Sequence, residues 1–154
     1  ADKNGQFIAQ DLRGRNETLQ WLFWQMGGLG PMAGQNHHFG TYAPQKIPYA
    51  IDRYVKETAR LYAVLDKQLT GRDFIAGSYS IADMACYPWI VPHTRQGQNL
   101  DEFPQLKRWF DSIRQRPATE RAYALAKEIN PTPVMTDEAK RVLFGQDATT
   151  VRPG

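Results

Sequence analysis

The sequence predicts an all-α fold, and three observations carry this prediction. Apolar residues recur every three or four positions in several segments, which is the spacing of an amphipathic helix. No segment alternates strictly between apolar and polar residues over four positions with turn residues at both ends, as a half-buried strand would. Finally, Ser80-Ile81-Ala82-Asp83 has the pattern of a helix-capping box. We therefore expect a bundle of about five helices.

The first predicted helix starts at Asp11, whose carboxylate can accept from the backbone N–H groups of the first turn. The glycines and proline between residues 27 and 31 are expected to kink or end it. Residues 33–46 are predicted to form a loop. The apolar stripe of this helix consists of Leu12, Leu19, Leu22, Phe23 and Met26.

Four more helices are predicted further along the chain. One starts near Pro48 and ends at Gly71, and one starts at the Ser80 cap and bends at Pro88. The last two cover residues 103–113 and 118–128. From Asn130 the proline-containing tail is expected to be extended, with one helical turn near residues 138–143.

Composition places the chain among ordinary globular proteins. Its 154 residues are 42% hydrophobic and 23% charged, which is enough for one domain with a real core. The net charge of +3 comes from cations scattered among acids, so we expect no nucleic-acid partner. No apolar run reaches the ~20 residues of a membrane span. The single cysteine, Cys86, excludes an internal disulfide and fits a reducing, cytoplasmic location.

Five stretches form an ordered set within residues 12–125. These are Leu19–Gln25, Gly27–Met32, Gly34–Phe39, Ile47–Tyr54, and the capped string Phe74–Ile90. The last stretch resembles the capping box and hydrophobic staple of the sixth helix of glutathione transferases. Together, in this order, they resemble the nu class of that superfamily and its fungal nitrogen-regulator relatives.

This resemblance implies that a domain is missing from the chain. Family members begin with a thioredoxin-like domain that binds most of glutathione and carries the group that stabilises its thiolate. Residues 1–10 resemble the end of that domain and a linker, residues 11–130 the all-α C-terminal domain, and residues 131–154 a C-terminal extension. We therefore expect the chain to be a fragment of a longer protein, or the part of it that survived, and to contain no catalytic residue of its own.

Two residues are candidates for glutathione contacts. Arg53 lies on the polar side of its helix, where it can simply pair with Glu57 one turn later. A guanidinium also suits a glutathione carboxylate, and Arg53 matches a glutathione-contacting arginine of the nu class. Gln20 is either a surface amide or, as the resemblance implies, a second contact with the peptide.

A second-substrate pocket is the other site that the resemblance implies. Its weaker candidates are Asn36, Phe39, Tyr42, Trp89 and Arg95. The adjacent His37 and His38 do not have zinc-type spacing to other ligands, so we expect no metal. Cys86 lies inside an apolar helix without a neighbouring cation and is expected to be an inert thiol.

The resemblance implies a cytoplasmic, homodimeric glutathione-dependent enzyme, either a transferase or a disulfide-bond reductase. The chain would supply the electrophile pocket, part of the glutathione site and part of the dimer surface. A Thr-Asn pair in the first loop of the missing domain would favour the disulfide reaction. The alternative is a non-enzymatic interaction or regulatory module, because the same fold also serves in such roles.

Overall fold

A computed structural model describes residues 3–129 and 135–150, and these residues confirm the all-α prediction. Among them the nearest approach to a sheet is an isolated bridge between Ala76 and Ser78. The chain divides into two compact units, residues 1–115 and residues 116–154. The domain boundaries expected from the sequence, near residues 10 and 130, stay predictions.

The first unit contains five α-helices and four short helical segments. The α-helices are α1 (Leu12–Trp24), α2 (Gly30–His37), α3 (Pro48–Gln68), α4 (Ile81–Ile90) and α5 (Pro104–Arg114). The segments Gln25–Leu29 and His38–Tyr42 are π-helical, and His93–Gln96 and Leu100–Glu102 are 3₁₀ turns. As predicted, Asp11 caps α1, with its carboxylate accepting from the Gly14 N–H at 2.9 Å.

The loop predicted over residues 33–46 is wrong, because α2 and the π-helical segment His38–Tyr42 occupy most of it. The glycines before it do not end the helix. The Gly30 N–H donates to the Gln25 carbonyl five positions back, which is the wider turn of a π-helix. Pro31 then stands in the first turn of α2, where a missing N–H costs little. Glycine and proline therefore widen the helix at this point and do not break it.

The core of the first unit lies between α3, α4 and α5. Residues from these three helices and their connections are buried together: Leu61, Tyr62, Leu65, Leu69, Ile75, Cys86, Ile90, Leu106, Trp109 and Ile113. Asp66 on α3 fixes the start of α5, because its carboxylate accepts from the backbone N–H groups of Gln105 and Leu106 at 2.8 and 2.9 Å. The most buried helical surfaces thus meet at the centre of the unit.

The predicted capping box at the start of α4 is confirmed. Asp83 accepts from the Ser80 backbone N–H at 2.9 Å, and the Ser80 hydroxyl accepts from the Ala82 N–H at 3.3 Å. Phe7, from the opposite end of the unit, adds its carbonyl as an acceptor for the Ile81 N–H at 2.9 Å. Local and remote groups together therefore satisfy the first turn of α4.

Asp83 also makes two contacts that its sequence neighbours do not predict. It is fully buried, and its Oδ1 accepts from the Ile75 backbone N–H at 3.0 Å and from the Trp109 indole N–H at 2.8 Å. The carboxylate that caps α4 therefore also anchors the loop before α4 and the centre of α5.

The second unit holds α6 (Pro117–Ile129) and α7 (Asp137–Phe144). Thr136 caps α7, with its hydroxyl accepting from the Ala139 N–H at 3.1 Å. The predicted helical turn near residues 138–143 is thus part of a short helix. The extended chain expected around Pro131 and Pro133, and at Pro153, lies outside the described residues.

Candidate functional site

Arg53 lies near the start of α3, with more than half of its side chain in solvent. Its guanidinium is 3.8 Å from the Glu57 carboxylate, whereas Arg60 donates two hydrogen bonds of 2.7 and 2.9 Å to the same group. The hydrogen bond from Arg60 is also the main reason why the pKa of Glu57 is lowered. Arg60 therefore holds the Glu57 carboxylate directly, and the longer contact from Arg53 leaves its guanidinium N–H groups available to another carboxylate.

Gln20 is exposed on α1, where it lines an open cleft of about 690 Å³. The half-buried Trp21 supplies an aromatic surface to this cleft, and Gln68 lines it from the end of α3. Arg72 and Glu17, which also line it, are paired at 2.5 Å. The cleft therefore combines amides, a ring and a partly neutralised cation, which suits a ligand that is polar at several points.

Arg53 and Gln20 do not lie together within one chain. Gln68, beside Gln20, is separated from Arg53 by most of the length of α3, about 22 Å at a helical rise of 1.5 Å per residue. A fully extended tripeptide backbone spans only about 11 Å. The two predicted glutathione contacts are thus two separate positions on this chain.

Asn36, a predicted pocket residue, faces the interior and not the solvent. It is 3% exposed, and its Nδ2 donates to the Thr58 hydroxyl and to the Gln96 carbonyl, each at 3.0 Å. Its amide therefore ties α2 to α3 and to the 93–96 turn. Any effect of Asn36 on a ligand would act through the elements that it holds.

Trp89, near the end of α4, packs its half-buried ring against two glycines of α2. A Cβ atom on Gly30 would lie 3.2 Å from the indole, and one on Gly34 would lie 3.9 Å from it. The same Cβ on Gly30 would come within 2.7 Å of the amide nitrogen of buried Gln25. The glycines at these positions therefore allow the indole and the Gln25 amide to lie against the α2 backbone.

Phe39 and Tyr42 belong to the π-helical segment that follows α2. The ring of Phe39 stacks on that of Tyr54 from α3, with centroids 5.5 Å apart and planes 8° from parallel. Both rings are half-buried, as is Tyr42. π-Helical segments often occur at functional sites, because the extra residue per turn redirects side chains.

Arg95 is exposed on the 3₁₀ turn His93–Gln96, beside His37 of α2. The two are neighbours because Asn36, which precedes His37, bonds directly to Gln96, which follows Arg95. The His37 Nε2 atom is buried and has no hydrogen-bond partner in the part of the chain that the structure describes. Burial, and secondly the charge of Arg95, lower the pKa of His37.

The five predicted pocket residues lie on α2, the segment after it, the end of α4 and the 93–96 turn, and contacts join these elements to one another and to α3. Three buried groups among them were missed by sequence reasoning: Gln25, Tyr62 and Gln96. His37, which the sequence offered only as a metal ligand, lies there as well. Gln96-Gly97-Gln98 has the composition of an ordinary polar turn, so the sequence contains no signal that these amides are buried. We call this region, defined by Asn36, Phe39, Tyr42, Trp89 and Arg95, the α2–α4 site.

Cys86 lies in α4 with its side chain buried. Burial, and secondly the nearby Asp83 carboxylate, raise the pKa of its thiol far above neutrality. A thiol without thiolate character is a poor nucleophile. The prediction that Cys86 is inert is consistent with this environment.

Within residues 3–129 and 135–150, no three His, Cys, Asp or Glu side chains come together as metal ligands. Over the same residues, no helix has the length and apolarity that crossing a membrane requires.

Comparison with known proteins places the chain in a family. The family model described as the glutathione S-transferase C-terminal domain matches residues 37–117. The disulfide-bond oxidoreductase YfcG of Escherichia coli K12 is 55% identical over 128 residues, which are 82% of this chain and 60% of that protein. The disulfide-bond oxidoreductase YghU of the same organism is 40% identical, over 85% of this chain and 48% of its own length.

Solved structures give the same result. A glutathione transferase from Burkholderia graminis, with two glutathione molecules bound per subunit, superposes with a TM-score of 0.73 at 40% identity, over 79% of this chain and 54% of its own. One from Pseudomonas putida, with one glutathione disulfide bound per subunit, gives 0.72 at 41% identity, over 79% and 56%. The chain thus spans about half the length of its relatives. It belongs to the glutathione S-transferase C-terminal domain family.

Proposed function

We propose that the protein containing this chain is a glutathione-dependent enzyme that reduces disulfide bonds, with transferase activity as a second reaction of the same site. Glutathione is its cosubstrate, and no metal takes part. The chain supplies the second-substrate pocket, glutathione contacts and part of a homodimer interface. The catalytic residue lies outside this chain, and the protein works in the cytoplasm.

Arg53 is the observation that carries this proposal. It is a largely exposed guanidinium, and the acid with which it pairs at 3.8 Å, Glu57, is held more closely by Arg60. Such a group can form a charge-assisted, forked contact with a carboxylate of glutathione. The position of Gln20 in a separate polar cleft supports a second contact, with another part of the ligand or with another bound molecule.

The names of the relatives favour the disulfide reaction over transfer to an electrophile. Two of them are called disulfide-bond oxidoreductases, and one solved relative holds glutathione disulfide. In this reaction a glutathione thiolate attacks one sulfur of the substrate disulfide, forms a mixed disulfide and releases the other sulfur as a thiolate. A second glutathione thiolate then attacks the glutathione sulfur of the mixed disulfide, giving glutathione disulfide and the second substrate thiolate. The α2–α4 site would hold the half of the disulfide that lies beyond the first glutathione, whether that half is a substrate thiol group or a second glutathione.

Glutathione titrations of the full-length protein by calorimetry test this proposal. Arg53→Ala should weaken glutathione binding by about tenfold or more, because a charge-assisted bond contributes about 1.5–3 kcal/mol. Gln20→Ala should show a smaller loss. Arg114→Ala is the matched control, since it removes an arginine of similar exposure that also pairs with an acid one turn away, and it should leave glutathione binding unchanged.

Equal dissociation constants for wild type, Arg53→Ala and Gln20→Ala would remove both residues from the glutathione site. Failure of the wild-type protein to bind glutathione at all, in solution or on glutathione-agarose, would instead favour the non-enzymatic module.

A further inference from the structure

We propose that Gln96 is a positioning residue for the second substrate: its buried side-chain amide fixes Trp89 and the turn that carries Arg95 in the α2–α4 site. This inference rests on the proposed function, because it takes that site as the second-substrate pocket.

The Gln96 side chain binds the end of α4 directly. Its Nε2 donates to the Trp89 carbonyl at 2.8 Å, and its Oε1 accepts from the Tyr62 hydroxyl at 2.6 Å. Because α4 ends at Ile90, the Trp89 carbonyl is one of the last-turn carbonyls that lack a partner within the helix. Gln96 thus caps α4 at the residue whose ring packs on α2.

The main chain of Gln96 fixes the turn to the other side of the site. Its carbonyl accepts from the amides of Asn36 and Gln98, each at 3.0 Å. Gln98 also donates to the Val55 carbonyl at 3.0 Å, which ties the same turn to α3. The turn that presents Arg95 is therefore bonded to α2, α3 and α4 through one residue.

Gln96 is completely buried, so water does not compete for these bonds. A buried polar network whose members are satisfied holds its elements in one arrangement, and active-site side chains depend on such support. Gln96 itself is too deeply buried to touch a ligand. Its effect on binding would therefore pass through Trp89 and Arg95.

The test compares glutathione disulfide with glutathione as calorimetric probes of the full-length protein. Gln96→Met keeps the volume but removes the bond to the Trp89 carbonyl. It should weaken binding of the disulfide by about tenfold or more, the size of effect expected when a pocket is displaced by a fraction of an ångström. Binding of glutathione should stay within about twofold of the wild-type value, a margin of roughly 0.4 kcal/mol. Should Gln96→Met not fold, Gln96→Asn keeps an amide but is one methylene too short to reach both the Trp89 carbonyl and the Tyr62 hydroxyl, and it should show the same selective loss.

Tyr62→Phe is the control, because it removes the bond to the Gln96 amide and a long 3.4 Å contact of the same hydroxyl with the Trp89 carbonyl, but leaves the 2.8 Å bond from Gln96 to Trp89. It should lower thermal stability and leave the affinity ratio of the two probes unchanged. Suppose that Gln96→Met weakens the binding of both probes equally, or of neither, while Trp89→Ala weakens only the binding of the disulfide. The inference about Gln96 is then wrong, and the proposed pocket is retained. If Trp89→Ala and Arg95→Ala also leave disulfide binding unchanged, the proposed pocket itself is wrong.

Discussion

At the scale of single residues, some contacts of the buried polar groups can be predicted from neighbouring positions in the sequence, and others cannot. The capping role of Asp83 was predictable, because Ser80 lies three positions before it. Its bond to Trp109 was not, because the two meet only after α4 and α5 have packed. The same holds for Gln96, whose partners come from three other elements.

Removing the Asp83 carboxylate should cost much more stability than removing the Ser80 hydroxyl. Asp83→Ala leaves three buried N–H donors unsatisfied, those of Ile75, Ser80 and Trp109. At about 1 kcal/mol or more for each donor, the free energy of unfolding should fall by at least about 3 kcal/mol. Ser80→Ala should cost about 1 kcal/mol. Urea denaturation of both variants measures the difference.

The control for this pair is Asp73→Ala, an exposed carboxylate whose ion pair with Arg108 lies at the surface. It should change the free energy of unfolding by no more than about 0.5 kcal/mol. Equal losses for Ser80→Ala and Asp83→Ala would mean that the contacts with Ile75 and Trp109 contribute nothing.

His37 should make the folded state sensitive to mild acid. Burial, and secondly Arg95, lower its pKa below the ordinary 6.5, so the unfolded chain binds a proton more readily than the folded one. The stability that this residue contributes is therefore complete above pH 6.5 and is lost as pH falls through the folded pKa. Denaturation midpoints of wild type and His37→Gln between pH 7.5 and 5 (about the range in which histidine titrates) measure this loss.

The His37→Gln variant should lose less stability than wild type over that range. His38→Gln, a substitution of the same kind at the next residue, serves as the control. A wild-type slope that is unchanged in His37→Gln would show that the acid sensitivity arises elsewhere.

At the scale of elements, the path from α1 to α2 departs most from the sequence prediction. Helical spacing and caps predicted α1, α3, α4 and α5. The last three bury apolar residues in the core, whereas α1 buries Thr18 and packs only partly on the core through Trp21 and Trp24. Residues 33–46 were predicted to be a loop because glycine, asparagine and histidine have low helix propensity. Packing of α2 on α3 and α4 overrides that propensity, with Gly30 and Gly34 admitting the Trp89 ring.

Gly30→Ala should therefore destabilise the first unit, although alanine normally favours a helix. Its Cβ would lie 2.7 Å from the Gln25 amide and 3.2 Å from the Trp89 ring, and overpacking of this kind costs about 1–3 kcal/mol. Gly27→Ala is the matched control, since a Cβ there meets nothing within 4 Å. Thermal denaturation should show a lower midpoint for Gly30→Ala and an equal or higher one for Gly27→Ala. The reverse order would contradict the close approach of Trp89 to α2.

At the scale of the whole molecule, α1 leaves an apolar surface exposed. Leu12, Phe23 and Met26 are 75%, 68% and 62% exposed, and the first two lie on one helical face. An exposed cluster of large apolar side chains marks an interaction surface in most proteins. Trp24, the next residue, packs partly on the core, so Phe23 is the better probe of this surface.

We expect the full-length protein to be a dimer at tens of micromolar (about the range in which obligate dimers stay assembled). Phe23→Glu should shift it toward monomer in sedimentation experiments. Tyr49→Glu, which alters an equally exposed aromatic residue on α3, is the control for added charge. A wild-type protein that sediments as a monomer would contradict the dimer, and equal shifts for both variants would contradict the assignment to α1.

The contact between Phe7 and Ile81 has a consequence for how the first unit folds. The Ile81 N–H, at the start of the helix, donates a hydrogen bond to the carbonyl of Phe7, which is 74 positions earlier in the chain. Forming that bond requires closure of a long loop, whose entropy must be lost before the contact contributes any free energy. The first turn of α4 should therefore be completed late, and it should exchange its amide hydrogens only when the whole unit opens.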